Sequence, residues 1–189
     1  MKICIDPGHS GPYEPGACAA GFTEAAVNMQ VSLILEQLLA KNGHKVVLTR
    51  LDDIEDDSLE RRVRYANRYR TDIFVSIHCN SFGDPAANGS EVWYHCTSVE
   101  GPKLARCIQN VLVSHCSTTD RGIKAKDDWP VLRDTVCPAV LVEMAFISNP
   151  QDREQLTDKV LQRQFAVAIA QGIDAYAAES GIGCNRKRK

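Results

Sequence analysis

Residues 75–81 read VSIHCNS, an apolar, strand-like run that leads directly into a histidine. Two other segments show the same pattern of an apolar run that leads into a polar side chain. The run in residues 5–11 (IDPGHSG) leads to a histidine, and that in residues 139–143 (AVLVE) leads to a glutamate. Near-continuous apolar runs are typical of strands buried in a parallel sheet, and the carboxyl ends of parallel strands lie along one edge. We therefore expect three side chains to meet at that edge: His9, His78 and Glu143.

Helical patterns separate these runs. Apolar residues recur at helical spacing after Thr23, a predicted N-cap, until Asn42 ends the pattern. A second helix is expected after an N-cap at Ser58, and a closing helix from about residue 161 to 176. The alternation favours the α/β class: a single domain with a mostly parallel twisted sheet of about six strands and helices on both faces.

Composition limits the possible functions. The chain has 189 residues, 44% of them hydrophobic, which suits one compact domain with a real core. Lys and Arg number 22 against 24 Asp and Glu, so the net charge of −2 gives no general attraction to nucleic acid or to an anionic membrane. No apolar run approaches the about 20 residues that a membrane span needs.

The charged residues are concentrated in three places. An acidic stretch at residues 52–57 is predicted to be a solvated loop. The domain is expected to cover residues 1–178, and residues 179–189 are expected to form a basic, disordered tail. The second helix carries four arginines, which we interpret as a solvated basic face rather than a binding patch. These are Arg61, Arg62, Arg64 and Arg68.

Eight cysteines are scattered along the chain without a CxxC pair. The N-terminal residues also lack the pattern of a secretory signal, so most cysteines are expected to be reduced and to act as small hydrophobic residues. Cys79 follows His78 directly. Since successive strand residues point to opposite faces, the Cys79 side chain is expected to point away from that of His78.

The predicted edge of the sheet favours a metal site. Glu24 opens the first helix, whose N-terminus is expected at the same edge, so two imidazoles and two carboxylates converge. Two imidazoles and one carboxylate make the open three-ligand site that zinc uses in hydrolysis, whereas magnesium and calcium need more oxygen ligands. One histidine at a strand end is most often structural, but the joint placement of four such groups favours zinc.

Six segments carry a resemblance to a known family over residues 1–177. They are residues 5–9 (IDPGH), 24–28 (EAAVN), 76–80 (SIHCN), 121–124 (RGIK), 131–133 (VLR) and 138–150 (PAVLVEMAFISNP). The chain resembles the zinc-dependent N-acetylmuramoyl-L-alanine amidases of type 3, which occur in bacterial autolysins and phage endolysins. The family often carries alanine where this chain has Cys79.

The resemblance implies that His9, Glu24 and His78 bind one zinc ion and that Glu143 is catalytic. The implied substrate is peptidoglycan, cut at the amide that joins the lactyl group of N-acetylmuramic acid to L-alanine. Zinc lowers the pKa of a bound water to about 7, and a carboxylate beside it can move the proton to the departing amine.

Three further residues are candidates for substrate contacts: Asn80, Ser81 and Arg133. Trp129 lies near the last of these, and for it we favour packing over substrate binding.

Bacterial peptidoglycan is thus the expected partner of a monomer that binds no nucleic acid and has no membrane span. We expect it in the cytoplasm until it is released to the cell wall, as an endolysin is, or secreted if the sequence is a fragment of an autolysin. Two alternatives stay open. One is a zinc peptidase or deacetylase that acts on a related wall component, and the other is a peptidoglycan-binding module without turnover, against which the presence of Glu143 argues.

Overall fold

The computed structural model describes residues 1–51 and 58–181. The elements are β1 (Lys2–Pro7), β2 (Cys18–Ala19), β3 (Phe22–Thr23), α1 (Glu24–Lys41), β4 (Lys45–Leu48), α2 (Leu59–Tyr69), β5 (Ile73–Asn80), β6 (Ser90–His95), α3 (Gly101–Cys116), β7 (Asp120–Lys126), α4 (Pro130–Arg133), β8 (Ala139–Phe146), α5 (Pro150–Thr157) and α6 (Lys159–Glu179). The predicted loop at residues 52–57 and the tail from residue 182 onward lie outside the described residues, and the boundary at residue 178 stays a prediction.

Six strands form the main sheet, in the order β4-β1-β5-β8-β6-β7. The first four run parallel to one another, whereas β6 pairs antiparallel with β8 and β7 runs parallel to β6. The short strands β2 and β3 form a separate antiparallel pair just before α1. The predicted α/β domain with a mostly parallel sheet is confirmed.

Helices cover both faces of the sheet. The larger core cluster joins apolar side chains of α1, α3 and α6 to one face, and the smaller cluster joins α2 and α4 to the other. Within the described part of the chain, none of the helices combines the length and the apolar character that a membrane crossing requires.

The helix starts follow the predicted capping chemistry. The Thr23 hydroxyl accepts a hydrogen bond from the Ala26 amide at 3.4 Å, and the Ser58 hydroxyl accepts one from the Arg61 amide at 3.3 Å. The closing helix is longer than predicted, because the Asp158 carboxylate caps it and it begins at Lys159.

Strand β7 was not predicted. Its sequence, DRGIKAK, has no apolar run, because β7 is an edge strand whose side chains are mostly half-exposed or exposed. The strands β5 and β8 extend to Asn80 and Phe146, further than predicted, so His78 lies within its strand rather than after it.

Candidate metal centre

Three elements bring together the side chains that were predicted to bind zinc. His9 follows β1, Glu24 is the first residue of α1, and His78 lies in β5. One possible ligand atom from each residue lies within 4.8 Å of the other two. The Glu24 carboxylate bridges the two rings, with Oε2 3.0 Å from His9 Nε2 and Oε1 2.8 Å from His78 Nδ1.

The Glu24 carboxylate is buried and held by further donors. Its Oε1 accepts from the backbone amide of Cys79 at 3.0 Å, and its Oε2 accepts from the amide of Ala17 at 3.0 Å. Burial alone would raise the pKa of Glu24, but the hydrogen bonds with His78 and His9 outweigh it and hold the pKa well below its ordinary value. Glu24 is therefore ionised, which is the form that binds a metal.

His9 is fixed through its second ring nitrogen. Its Nδ1 lies 2.8 Å from Oε1 of Glu14, an exposed residue of the loop after β1. If Nδ1 carries the proton and donates it to this carboxylate, the lone pair of Nε2 faces Glu24 and the shared centre. Burial alone would lower the pKa of His9, but the bonds with Glu24 and Glu14 raise it overall. Glu14 was not singled out in the sequence, because loop geometry leaves no periodic signal.

Two buried arginines hold the loop that presents His9. Arg62 donates to the carbonyl oxygens of Pro7 at 2.8 Å and of His9 at 2.7 Å. Arg50, which follows β4, donates to the carbonyl oxygens of Pro7 at 3.0 Å and of Gly8 at 3.2 Å. His9 has a φ of 64°, a left-handed conformation that persists only where the surroundings enforce it.

The predicted solvated face of α2 is wrong for Arg62. This residue is only 2% exposed and forms an ion pair with the buried Asp6 at 2.7 Å. Burial alone would raise the pKa of Asp6, but Arg62 and the hydroxyls of Ser76 and Thr49 outweigh it and lower the pKa. Helical spacing showed which face Arg62 occupies but not that a buried acid lies opposite it.

Glycines make room for the imidazole rings. A Cβ at Gly8 would collide with the ring of His78, and a Cβ at Gly16 would lie 2.5 Å from Cδ2 of His9. The two backbone segments therefore close tightly around the side chains that form the centre, and any other residue at these positions would push them apart.

Glu143 faces the same cavity. It lies opposite His78 in the register of β5 and β8, and its Oε2 is buried without a hydrogen-bond partner among the described residues. Burial, together with the negative charges of Glu24 and Glu91, raises the pKa of Glu143 well above its ordinary value. A buried carboxyl oxygen without a partner, next to a possible metal centre, is a candidate for proton transfer.

The cavity has a volume of about 350 Å³ and is lined by both histidines, by Glu24 and by Glu143. Of the predicted substrate contacts, Asn80 and Ser81 line it, whereas Arg133 lies outside its wall and pairs with Asp134 at 2.7 Å. Trp129 also lines the cavity, and its ring centroid lies 5.0 Å from that of Trp93.

The thiol of Cys79 is not one of the grouped ligand atoms. It lies 3.4 Å from Oδ1 of Asn28, on the side of the sheet covered by α1. Burial, with the charges of Glu24 and Glu143, raises the pKa of Cys79 well above its ordinary value, so the thiol stays protonated.

Comparison with known proteins gives a consistent result. Residues 3–175 match a family model described as N-acetylmuramoyl-L-alanine amidase. The chain is 38% identical to the uncharacterized protein YqiI of Bacillus subtilis, across 92% of this chain and 84% of YqiI. It is 36% identical to the N-acetylmuramoyl-L-alanine amidase LytC of the same organism, across 92% of this chain but only 35% of LytC. Its fold matches the crystal structure of an N-acetylmuramoyl-L-alanine amidase from Clostridium difficile 630 with a TM-score of 0.90 and 34% identity, covering 95% of this chain and 98% of the other.

Proposed function

The chain belongs to the N-acetylmuramoyl-L-alanine amidase family, and from this premise we propose that it hydrolyses peptidoglycan with one zinc ion bound by His9, Glu24 and His78. The bond cut is the amide between the lactyl group of N-acetylmuramic acid and L-alanine. The observation that carries the proposal is the position of Glu143, which lines the cavity together with the three ligands and whose Oε2 has no hydrogen-bond partner among the described residues.

The donor set fits zinc. Two imidazole nitrogens and one carboxylate oxygen converge, and this is a combination that open catalytic zinc sites use. Glu24 is ionised, and with the His9 proton on Nδ1, facing Glu14, Nε2 is available for the ion. Calcium and magnesium prefer a shell of oxygen ligands, which these three side chains do not supply.

Zinc bound there supplies Lewis-acid chemistry, which polarises a carbonyl group and makes water more acidic. The proton movements belong to Glu143. Its carboxylate accepts a proton from the attacking water, whose oxygen forms the new bond to the lactyl carbonyl carbon. When the carbon–nitrogen bond breaks, Glu143 returns the proton to the nitrogen of L-alanine. The raised pKa of Glu143 suits a group that must both accept and donate a proton.

The side chains that we propose for zinc binding and proton transfer all come from one chain. Residues of β1, α1, β5 and β8 line the cavity together with Trp129 and Pro130. We therefore propose that a monomer is active, and a single-chain mass in solution under assay conditions is the expected result. The substrate lies in the cell wall, so activity depends on the protein's reaching the wall through lysis or secretion.

Mass spectrometry of digested peptidoglycan tests the proposed reaction. New L-alanine amino termini on released stem peptides are the expected products. Loss of acetyl groups from the sugars would instead indicate a deacetylase, and cleavage within the stem peptide would indicate a peptidase. Binding to the wall without any product would contradict the proposal and favour a recognition module.

A further inference from the structure

Glu91 is a buried carboxylate beside Glu143. The two residues are partners in the antiparallel register of β6 and β8. The hydrogen-bond donors to Glu91 are Asn80 Nδ2 and Trp93 Nε1 at 3.0 Å, Arg121 Nε at 2.8 Å and Lys124 Nζ at 2.5 Å. Burial alone would raise the pKa of Glu91, but the bonds from Lys124 and Arg121 outweigh it and hold the pKa below its ordinary value.

Two cations share this one carboxylate, so the cluster of Glu91, Arg121 and Lys124 carries surplus positive charge. The side chains of Arg121 and Lys124 are 34% and 32% exposed, which leaves them open to a ligand. Aromatic rings support both cations. The guanidinium carbon of Arg121 lies 4.8 Å from the ring centroid of Phe146, and Nζ of Lys124 lies 5.1 Å from that of Trp93. The cations are therefore held in position before any ligand arrives.

The cluster adjoins the cavity at two points. Asn80, which donates to Glu91, lines the cavity, and so does Trp129, which packs against Trp93 beneath Lys124. The charge of Lys124 also reaches Glu143, where it opposes the rise in pKa. The two cations thus lie one residue away from the cavity wall, behind Asn80 and Trp129.

The position of Glu143 indicates which part of the substrate reaches this cluster. Glu143 must contact the nitrogen of L-alanine to return the proton, so the peptide that begins at this nitrogen extends past Glu143. The neighbouring strands on that side are β6 and β7, which carry the cluster. Stem peptides bear free carboxylates, and an arginine–lysine pair is well suited to bind a carboxylate.

On the basis of the proposed amidase activity, we propose that Arg121 and Lys124 form a subsite for a free carboxylate of the stem peptide, on the L-alanine side of the scissile amide. Glu91 is the positioning residue that holds both cations in place.

Amidation of the substrate tests this subsite. Three soluble N-acetylmuramoyl-L-alanyl-γ-D-glutamyl-L-lysine substrates are compared: one with both carboxylates free, one amidated at the glutamyl α-carboxylate and one amidated at the terminal carboxylate. One of the two amidations is expected to lower kcat/KM about tenfold, as expected for the loss of a hydrogen-bonded charge. Which amidation has this effect identifies the carboxylate that is bound. Equal kcat/KM for all three substrates would overturn the subsite.

Variants locate the effect. In Lys124→Gln and Arg121→Gln the ratio of kcat/KM between the free and the amidated substrate is expected to fall toward one. Lys126→Gln is the matched control, because Lys126 lies on the same strand and is equally exposed at 32%, but pairs with Asp128 instead of Glu91. The control should keep the wild-type ratio. A variant that slows all three substrates to the same extent argues against the subsite.

Failure of the subsite differs from failure of the amidase proposal. If the wild type releases L-alanine termini from all three substrates at one rate, only the subsite is wrong. If it releases none from any of them or from intact peptidoglycan, the amidase activity itself is wrong. Raising the salt concentration should reduce the wild-type preference, because the two cations are partly exposed to screening ions.

Discussion

Glu143 of β8 lies opposite His78 of β5, and its buried Oε2 has no hydrogen-bond partner among the described residues. An unsatisfied buried polar atom costs about 1–3 kcal/mol, so a fold does not keep one without a reason. Glu143 and both imidazoles line one cavity, and we propose that the Glu143 carboxyl group exchanges protons there with water and with substrate.

Replacement of this carboxyl should separate chemistry from metal binding. Glu143→Gln removes the proton acceptor but keeps the shape of the side chain, so turnover should fall by about 10²–10⁴-fold while zinc content stays near one ion per chain. Hydrolysis of muramoyl peptides and elemental analysis measure the two quantities. A variant with near-normal turnover would refute the role of Glu143.

Removal of one imidazole should lower the zinc content as well as the activity. His78→Ala deletes a ligand atom from the centre, so zinc content and activity should fall together. Elemental analysis after gel filtration measures the bound metal. His115→Ala, a change at a residue outside the cavity lining, is the control and should keep both. Full zinc content in His78→Ala would contradict the ligand assignment.

The exposed Glu14 should influence affinity for the metal more than the catalytic step. Glu14→Ala removes the partner of Nδ1 of His9, and loss of such a partner typically weakens metal binding by about 10–100-fold. Competition with a chromogenic chelator measures the dissociation constant. Glu14→Gln retains an acceptor oxygen and is expected to lie between the wild type and Glu14→Ala. Equal zinc affinity in all three proteins would show that the contact has no such role.

Arg62 should be a strong determinant of stability. Arg62→Met leaves the buried Asp6 carboxylate without its cation, and breaking a buried pair in this way costs about 3–5 kcal/mol. Chemical denaturation at neutral pH measures the loss. Arg64→Met is the control, because Arg64 is exposed on the same helix, and it should change the free energy of unfolding by less than about 0.5 kcal/mol. Similar losses in both variants would contradict the packing described for Arg62.

The same pair predicts a pH dependence. The pKa of Asp6 is lowered in the folded protein, so its contribution to stability is present above the unfolded pKa of about 3.9 and is lost as the pH falls through the folded value. Asp6→Asn should therefore lose stability relative to the wild type at neutral pH, and the difference should shrink under acid conditions. If the difference in free energy of unfolding between the wild type and Asp6→Asn grew as the pH fell, this interpretation would be wrong.

The parallel sheet could be predicted from the sequence because buried parallel strands are apolar. The meeting of the site residues could be predicted because the carboxyl ends of parallel strands lie along one edge of the sheet. His9, His78 and Glu143 follow or interrupt such runs, and Glu24 opens the helix after the first. These features depend on local patterning, which a single sequence contains.

Partners across the fold leave no such pattern. The burial of Arg62 depends on Asp6, which is distant in sequence, and the contact of Glu14 with His9 depends on the path of a loop. Strand β7 was missed because edge strands need no apolar run, and the pairing of Arg121 and Lys124 with Glu91 was missed with it. The spacing of apolar residues identifies the face of a helix or strand on which a residue lies, whereas charge pairs between distant residues become visible only in the three-dimensional structure.

Arg50 and Arg62 donate hydrogen bonds to the carbonyl oxygens of residues 7–9, so the protein itself anchors the backbone that carries His9. Little chain entropy is then left to be lost when an ion arrives, in contrast to small zinc-dependent domains that fold around their metal. Under the proposed zinc chemistry, folding and activation are then separate events. We expect the apoprotein to be folded without the ion and to gain activity when zinc binds.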